Sequence, residues 1–369
     1  MRVVHLESGR HLYGGARQVC DLIAGLADQG IDNLLICPRD SAIAATVGSM
    51  GQVAEVIEIP MRGDLDFSVP LRLRTLLASR QPNLVHVHSR RGADRFGGWS
   101  ARWAGVPAVL TRRVDSDELK PLARLKYQPY TGVIAISRAI EAQLKNHIGL
   151  AAQRVHYVAS GVDTDRYRPA QHHGRLAEVF ALPPDAIKIG MVAQLISRKG
   201  HDRLFGVLPE LIAEYPAVQV LCFGQGSLQR KLEQQLQRLE LTAHVRLVGF
   251  RDDLVSLLPE LTCLVHPARR EGLGVAVLEA LSCQVPVVAA AVGGVVDIVE
   301  HEVNGLLVDP NDDRALLAAL RRMLREPELR RRLGEAGRRR VEAAFSVDTM
   351  TQGNLSVYMR LMKRNHGRD

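Results

Sequence analysis

Two carboxylates eight residues apart, Glu271 and Glu279, flank the segment with the strongest chemical signal in the sequence. The first follows an apolar run that ends at His266, and the glycine-rich turn between them allows a helix to begin at Gly274. The unpaired N–H groups of that first helical turn would point into one small volume, with the positive end of the helix dipole behind them. The segment therefore predicts an anion site built from the amides of Gly274, Val275 and Ala276.

The two carboxylates have different expected roles at such a site. Glu279 falls early in the predicted helix, where the dipole alone would favour a carboxylate, so simple helix stabilisation is one reading. Beside a bound phosphate a carboxylate is repelled, which makes sugar hydroxyls its more plausible partners. Glu271 precedes the helix and has no such stabilising role in the sequence pattern.

Adjacent cations and a pair of glycines follow two other predicted strands. Arg198 and Lys199 come directly after the apolar run Ile187 to Ala193 and could neutralise a pyrophosphate, although surface Arg-Lys pairs are common. Gly14 and Gly15 lie between the opening strand and a predicted helix, where the backbone could approach a ligand closely. A plain strand-to-helix connection is at least as good an interpretation of the glycine pair.

Three further patterns give weak signals for cofactors or metals. The segment Cys222 to Ser227 lacks the third glycine of a dinucleotide fingerprint and is interpreted as a glycine turn. His86-x-His88 lacks a third ligand nearby, so no metal site is expected there. His88 lies at the carboxyl end of a predicted strand, where it could face a cleft, and a satisfied histidine is the other interpretation. A metal site is only weakly indicated by the D-x-D triplets at Asp64 to Asp66, Asp115 to Asp117 and Asp163 to Asp165.

The elements that must position these residues alternate between strand and helix. Short apolar runs are separated by helical patterns such as Ala16 to Gln29 and Pro70 to Ser79, which indicates parallel sheets covered on both faces. The polar stretch Asp163 to Gly174 breaks this rhythm and is predicted to be a linker. The predicted strands are Val3 to Leu6, Asn33 to Cys37, Leu84 to Val87, Ala108 to Thr111, Gly132 to Ile136, Val155 to Val158, Ile187 to Ala193, Gln219 to Phe223, Val245 to Val248, Cys263 to His266 and Val285 to Ala289.

Length supports the same division. A chain of 369 residues with 46% hydrophobic and 24% charged residues is expected to form two globular domains. We predict one Rossmann-like domain over 1–165 and a second Rossmann-like domain over 175–345. Residues 346–369 are predicted to form a helix that packs back on the first domain.

The net charge of +8 favours acidic partners, and much of the excess lies in Arg321 to Arg340, with nine arginines and three glutamates. A solvated helical face is the simplest interpretation of that segment. A second basic group runs from Arg72 to Lys126 and includes Arg90 and Arg91. Aromatic residues are only 4% of the chain, so nucleic acid is not expected, and phosphate or an anionic membrane surface is favoured.

Cysteine usage and hydropathy indicate the compartment. Five widely spaced cysteines without a C-x-x-C pair are typical of reduced, buried thiols. No apolar run is long enough to span a bilayer, and the first residues resemble a strand more than a signal peptide. A cytoplasmic protein is expected, with peripheral attachment to the inner membrane face as an open alternative.

These motifs, in this order along nearly the whole chain, resemble family four (group 1) retaining glycosyltransferases of the GT-B fold. Single pieces are weak, but the ordered series is specific. The likeness rests on Gly14-Gly15, Leu84 to Ser89, Val133 to Ser137, Ser160 to Asp163, Lys199 to His201, Val248 to Phe250, Glu271 to Glu279, Pro286 to Val288, Gly293-Gly294 and Asn304 to Val308.

The resemblance implies an α/β protein with two doubly wound domains that face each other across a cleft. It implies a nucleotide diphosphate sugar, preferably a UDP-sugar, as donor substrate, with no cofactor or metal and with retention of anomeric configuration. In the second domain, Glu279 would bind the ribose, and Phe250 and Arg251 the base. Gly274, Val275, Arg198 and Lys199 would bind the pyrophosphate, which Gly15 and its neighbour Gly14 would meet from the first domain. Glu271 would hold the transferred sugar and act, with Arg198 and Lys199, in catalysis.

Two departures from the family pattern concern the donor and the acceptor. Gln194 stands where the family usually has an arginine, so Arg198 would have to substitute. Arg112 and Arg113 stand where many members have a histidine, and with His88 they form the expected acceptor side, where the arginines could bind a phosphorylated acceptor. The expected reaction moves a hexose-type sugar to a saccharide or lipid-linked acceptor, such as lipopolysaccharide. A nucleotide-sugar epimerase of the same fold and a non-catalytic sugar-nucleotide-binding or scaffold protein remain as alternatives.

Overall fold

A computed structural model describes residues 1–61, 66, 68–88, 92–171 and 174–366. The chain divides into two compact units, and each is described by itself below. The first unit is Met1–Gly161 together with the chain from Val347 onward, and the second is Val162–Ser346. Several residues singled out in the sequence lie outside the described part: Asp64, Ser89, Arg90, Arg91, His172 and His173.

In the described part of the first unit, seven strands form one parallel sheet. Its strands are β1 (Arg2–Leu6), β2 (Asp32–Pro38), β3 (Glu55–Ile59), β4 (Leu84–Val87), β5 (Ala108–Arg112), β6 (Gly132–Ala135) and β7 (Val155–Tyr157). Its helices are α1 (Gly14–Asp28), α2 (Ala42–Ser49), α3 (Val69–Arg80), α4 (Ala93–Trp103), α5 (Lys120–Tyr127), α6 (Arg138–Ala142) and the terminal α15 (Val347–His366), and α6 runs on into a π-helical turn, Gln143–Ile148.

The strand order of this sheet, β3-β2-β1-β4-β5-β6-β7, changes direction between β1 and β4. In doubly wound sheets, ligands bind outside the carboxyl ends of the strands at such a switch point. Strands β4, β5 and β6 are buried along their whole length, as expected for a parallel sheet with helices on both faces. The pairing of β1 with β4 places His5 beside His86.

The terminal helix α15 is part of the first unit because its apolar side chains complete the core there. Tyr358 and Leu361 are fully buried in a cluster with Leu22 and Leu84. Helix α1 approaches it closely at Gly25, where an added Cβ would lie 2.3 Å from the Thr351 Oγ1. The last described stretch of the chain therefore packs against the first sheet.

The second unit repeats the architecture, with six described strands in one parallel sheet of order β10-β9-β8-β11-β12-β13. The direction changes between β8 and β11. The strands are β8 (Ile187–Val192), β9 (Val218–Phe223), β10 (Val245–Gly249), β11 (Cys263–His266), β12 (Val287–Ala290) and β13 (Leu306–Val308). The helices are α7 (Arg175–Val179), α8 (His201–Glu214), α9 (Gln229–Arg238), α10 (Leu254–Leu257), α11 (Val275–Ser282), α12 (Val295–Ile298), α13 (Asp313–Arg325) and α14 (Pro327–Ala344). Short 3-10 turns lie at Ser197–Lys199 and Leu258–Glu260 in this unit, and at Ala152–Arg154 in the first unit.

Two segments singled out in the sequence make hydrogen bonds within the second unit. The stretch predicted as a linker is fixed at its beginning, because Arg338 donates hydrogen bonds to the carbonyl oxygens of Thr164 and Tyr167. The arginine-rich segment lies on helices α13 and α14, and the Arg325 and Arg331 side chains are 73% and 63% exposed, as expected for a solvated face. Arg330 binds the carbonyls of Met323 and Leu324, and further arginines of the segment pair with glutamates.

The five cysteines are free and buried, as the sequence predicts. Burial raises the pKa of Cys37 to about 11 and that of Cys222 to about 12, so these thiols are inert. Among the described helices, none is both long enough and apolar enough to cross a membrane.

Candidate functional site

The loops after β8 and β11 meet at the switch point of the second sheet. The backbone N–H of Arg269 donates to the carbonyl oxygen of Arg198 at 2.8 Å. Gly200 has a φ of +77°, and a Cβ there would lie 2.1 Å from the carbonyl oxygen of Pro267. Only glycine permits this approach, which holds the Arg198–Lys199 turn against the loop that carries Glu271.

Glu271 is the centre of a buried polar cluster. Its carboxylate forms an ion pair with the Lys199 ammonium and accepts a hydrogen bond from His266 Nε2 at 2.8 Å through the same oxygen. The other oxygen accepts from the backbone N–H of Gly272 at 3.1 Å. The side chains of Lys199 and Glu271 are 11% and 10% exposed, so both charges are largely removed from water.

The electrostatics of this cluster keep Glu271 ionised. Burial alone would raise the pKa of its carboxyl group, but the hydrogen bond from His266 and the charge of Lys199 outweigh burial and hold the pKa well below its usual range. The carboxylate therefore stays an acceptor of hydrogen bonds at any physiological pH.

Glu271 retains the capacity to bind one more donor. A carboxylate offers about four lone-pair positions, and the three contacts above use three of them. The Lys199 ammonium carries three N–H donors and uses one on Glu271, which leaves two for an anion. The pair can thus receive a hydroxyl group and an anionic oxygen side by side.

The turn after β12 clamps the backbone of Glu271. Gly293 has a φ of +51°, and a Cβ there would lie 1.8 Å from the Glu271 carbonyl oxygen. The N–H of Gly294 approaches the same oxygen at 3.4 Å. The Gly293-Gly294 motif therefore acts on the site through the backbone position of Glu271.

Helix α11 begins beside this carboxylate, as the sequence predicts. Gly274 occupies the N-cap position with a φ of +105°, and no side chain caps the helix. The N–H of Val277 already donates to the Gly274 carbonyl oxygen at 2.9 Å. The N–H groups of Val275 and Ala276 have no carbonyl partner among the described residues, so these two are available to an anion. Val275 and Ala276 are partly exposed, and Glu279 lies half-buried in the second turn.

The remaining residues predicted on the donor side differ in their surroundings. Arg198 is half-exposed, and its guanidinium has no hydrogen-bond partner within the described ranges. Gln194 is exposed at the end of β8. After β10, the Phe250 side chain is 54% exposed, and Arg251 makes a bidentate ion pair with Asp253 at 2.7–2.8 Å.

In the first unit, helix α1 begins two residues earlier than predicted, at Gly14, without a side-chain cap. Both glycines of the predicted turn are exposed. A Cβ on Gly15 would lie 3.7 Å from Arg113 Cδ, so the arginine follows β5 and lies beside the start of α1. Burial lowers the pKa of Arg113 to about 10, and the group remains a cation at neutral pH.

Arg112 has a structural role that the sequence does not reveal. Its side chain is 4% exposed, pairs with Glu118 at 2.9 Å and donates to the Ser116 carbonyl oxygen at 2.7 Å. Lys126 binds the same carboxylate. The charge of Arg112 is therefore already matched inside the first unit.

The histidine pair has the neighbour that sequence reasoning missed. His5, His86 and His88 lie together, with one ring nitrogen of each within 4.8 Å of the others. His5 joins the pair because β1 lies beside β4 in the sheet, and this strand pairing cannot be read from the sequence alone. Both nitrogens of His5 and both of His86 already have hydrogen-bond partners, so a metal would have to displace them.

Two family models and several known proteins match this chain. The family model described as "Glycosyl transferases group 1" matches residues 175–340, and the model "Glycosyltransferase Family 4" matches residues 13–166. The chain is 31% identical over 325 residues to the D-inositol 3-phosphate glycosyltransferase of Salinispora arenicola, covering 78% of this chain and 71% of that protein. It is 28% identical over 330 residues to the putative glycosyltransferase EpsD of Bacillus subtilis, covering 83% and 86%.

The fold is also that of a solved structure, Anabaena Alr3699/HepE in complex with UDP and glucose. The TM-score is 0.85 at 21% sequence identity, and the match covers 98% of this chain and all of that one.

Proposed function

This chain belongs to the group 1 glycosyltransferases and has their GT-B fold, and from this we propose that it moves a hexose-type sugar from a nucleotide diphosphate sugar to a hydroxyl group of a saccharide or lipid-linked acceptor. The observation that carries the proposal is the Lys199–Glu271 pair at the start of helix α11. It places a cation, free amides and a carboxylate with one open acceptor position in one loop cluster.

Charge separation during transfer explains why such a cluster is useful. When the bond between the sugar and the diphosphate breaks, positive charge develops on the sugar ring and negative charge on the departing diphosphate. The α11 amides and Lys199 are held in place before the reaction and stabilise the anion with little reorganisation. Arg198 adds a second positive charge from the same turn as Lys199. Glu271 binds a hydroxyl group of the transferred sugar through its remaining lone pair and positions the ring. These cations and amides make a metal unnecessary.

We assign the donor as a UDP-sugar, with retention of the anomeric configuration. The Anabaena protein of the same fold binds UDP and glucose, which supports this choice. We assign the exposed ring of Phe250 after β10, with Arg251 next to it, to the base of the donor. We assign Glu279, in the second turn of α11, to the ribose hydroxyls. Retention is carried over from the family.

The direct test incubates the full chain with a panel of UDP-, GDP- and ADP-sugars and saccharide acceptors and measures nucleotide release and glycoside product. We expect product from at least one UDP-sugar and its loss in Glu271→Ala with an intact fold. Interconversion of the donor sugar without product would mean an epimerase. Binding without turnover would mean a non-catalytic protein. Either result would overturn the proposal.

A lipid-linked acceptor is supported by one surface of the first unit. Leu119, Leu122 and Leu125 on and before helix α5 are 72%, 63% and 56% exposed. Lys120 and Arg124 are exposed on the same segment. Apolar side chains flanked by cations are suited to the headgroup region of an anionic bilayer, where the acceptor would be presented.

Co-sedimentation with vesicles tests this surface. The wild type should sediment with vesicles of anionic phosphatidylglycerol at low salt, and Leu122→Asp/Leu125→Asp should not. Exposed Leu71 on helix α3, changed to Asp, gives a control that adds one negative charge away from α5, and it is compared with each of the single variants Leu122→Asp and Leu125→Asp. Equal sedimentation of wild type and double variant would remove the membrane from the proposal.

A further inference from the structure

The clustered histidines His5, His86 and His88 lie at the switch point between β1 and β4, where the sheet is expected to meet a ligand. His5 and His86 are 0% exposed and His88 is 2% exposed. His88 directly follows β4, and its N–H donates to the Leu6 carbonyl oxygen at 3.0 Å. Its ring is therefore held at the carboxyl edge of the sheet.

The orientation of Asn33 decides how protons are arranged in this cluster. One end of its amide lies 3.1–3.2 Å from three carbonyl oxygens, those of Ile23, Ile31 and Val53. Only the NH₂ group can donate to carbonyls, so the amide nitrogen faces them. The Asn33 oxygen consequently faces His5 Nε2, at 3.1 Å.

This contact determines which ring nitrogens of His5 and His88 carry a hydrogen. His5 Nε2 must carry the hydrogen that it donates to Asn33. Burial lowers the pKa of His5 to about 4, so the ring is neutral at pH 7 and its Nδ1 has a lone pair. His88 Nε2 lies 3.0 Å from that lone pair and must donate to it. Burial, with the nearby His86, His5 and Arg113, holds the pKa of His88 well below its ordinary value, so His88 is neutral as well.

The series of hydrogen bonds from Asn33 through His5 ends at His88 Nδ1, which has no partner among the described residues. His88 Nδ1 is a buried lone pair without a hydrogen bond among the described residues, and the neighbouring Arg113 has an unpartnered buried Nε–H. Leaving a buried polar atom without a hydrogen bond is unfavourable, so such atoms are rare in native proteins and usually bind a ligand or water. One unpaired acceptor and one unpaired donor match a hydroxyl group, which both donates and accepts.

We propose that His88 Nδ1 accepts a hydrogen bond from a hydroxyl group of the acceptor substrate, and that Asn33 and His5 are positioning residues that fix the required tautomer of His88. This inference rests on the proposed glycosyl transfer and specifies the chemistry of its acceptor side. A hydroxyl group can donate to the lone pair, whereas a phosphate dianion or a carboxylate cannot. The subsite therefore selects a neutral alcohol oxygen at this point of the acceptor.

The tautomer is tested directly by imidazole nitrogen NMR on the ¹⁵N-histidine-labelled full chain, with His88→Gln to assign the His88 signals. We expect a protonated Nε2 and an unprotonated Nδ1 for His88, unchanged between pH 5.5 and 8 and on addition of Zn²⁺. A protonated Nδ1 would overturn the inference. Stoichiometric Zn²⁺ binding at these signals would replace it with a metal site formed by the three histidines.

Two variants test the positioning role. His5→Phe keeps a ring of similar size but removes the acceptor for His88 Nε2–H, so the His88 tautomers should become mixed. His5→Asn returns an oxygen near the Nδ1 position and should restore the single tautomer. Tyr358→Phe is the matched control, because it removes a buried hydrogen bond to His86 and leaves the chain from Asn33 to His88 intact. An unchanged His88 signal in His5→Phe would contradict the role of His5.

The substrate contact is tested with the donor and acceptor pair that gives the highest rate in the panel described above. His88→Gln should lower kcat/KM for the acceptor at least tenfold and leave KM for the donor within twofold, and His88→Asn should recover part of the loss. Equal kcat/KM in wild type and His88→Gln would overturn the inference. If no pair reacts, the proposed function fails while the NMR experiment still decides the tautomer.

Discussion

Replacing both members of the Lys199–Glu271 pair should separate its contribution to folding from its contribution to transfer. Glu271→Gln leaves an ammonium that is 11% exposed opposite a neutral amide, and breaking a buried pair in this way costs about 3–5 kcal/mol. Lys199→Met leaves the carboxylate with His266 and Gly272 as donors, so only one charged hydrogen bond is lost, about 1.5–3 kcal/mol.

The double variant Lys199→Met/Glu271→Gln contains no unmatched charge. We expect its stability to lie within about 2 kcal/mol of the wild type, which makes the two changes strongly non-additive. Transfer should remain at least about a hundredfold below the wild type, close to 2.7 kcal/mol of barrier, because two of the groups proposed to contact the donor are gone.

The assay must report on the second unit alone. Trp99 and Trp103 both lie on helix α4 of the first unit, so tryptophan fluorescence in urea is an internal control that should not change. Amide hydrogen exchange of strands β8 and β11 reports the stability of the second unit. Additive losses of stability in the double variant, or recovery of transfer together with stability, would refute the reasoning.

Three further outcomes are expected. The Glu271 carboxylate stabilises the folded protein fully above about pH 4.3, the pKa of an unfolded glutamate, and this stabilisation is lost as the pH falls towards the lowered pKa of the folded state. The difference in hydrogen exchange between wild type and Glu271→Gln should therefore shrink below that pH. A difference that grows would contradict the direction of the pKa shift. Gly293→Ala should destabilise the second unit and abolish transfer. Gly206→Ala, in an open position inside helix α8, should instead stabilise that unit by about 0.5–1 kcal/mol. Equal effects of the two variants on hydrogen exchange would argue against the contact between Gly293 and the Glu271 backbone. Leu361→Ala should lower the stability of the first unit by about 2–5 kcal/mol by tryptophan fluorescence and leave exchange in the second unit unchanged, and the opposite pattern would contradict the placement of helix α15.

The sequence predicted most of the strands because buried parallel strands are short, continuous apolar runs. Leu84 to Val87 and Cys263 to His266 have the predicted bounds. Strand β3, Glu55–Ile59, was missed because it is a partly exposed edge strand with two glutamates. Strand β13 is only three residues long, too short to show a period.

The candidate site was predictable where it depends on local backbone chemistry. A helix start after a glycine predicts free amides at Gly274 from the sequence alone. The partners of Glu271 were not predictable in the same way, because the contact with His266 depends on a loop that turns back on its own strand. The contact between His5 and His88 depends on strand order and register, which link residues 83 positions apart.

The central claim, that the start of helix α11 with Arg198 and Lys199 binds the diphosphate of the donor, is tested most directly by calorimetric titration. UDP and uridine, with GDP, ADP and their nucleosides alongside, are titrated into wild type and Arg198→Ala, a side chain without a hydrogen-bond partner in the described part of the protein. We expect one nucleoside diphosphate to bind at least about tenfold more tightly than its nucleoside, and Arg198→Ala to remove most of that difference. Equal affinity for diphosphate and nucleoside in the wild type, or an unchanged difference in Arg198→Ala, would contradict the claim.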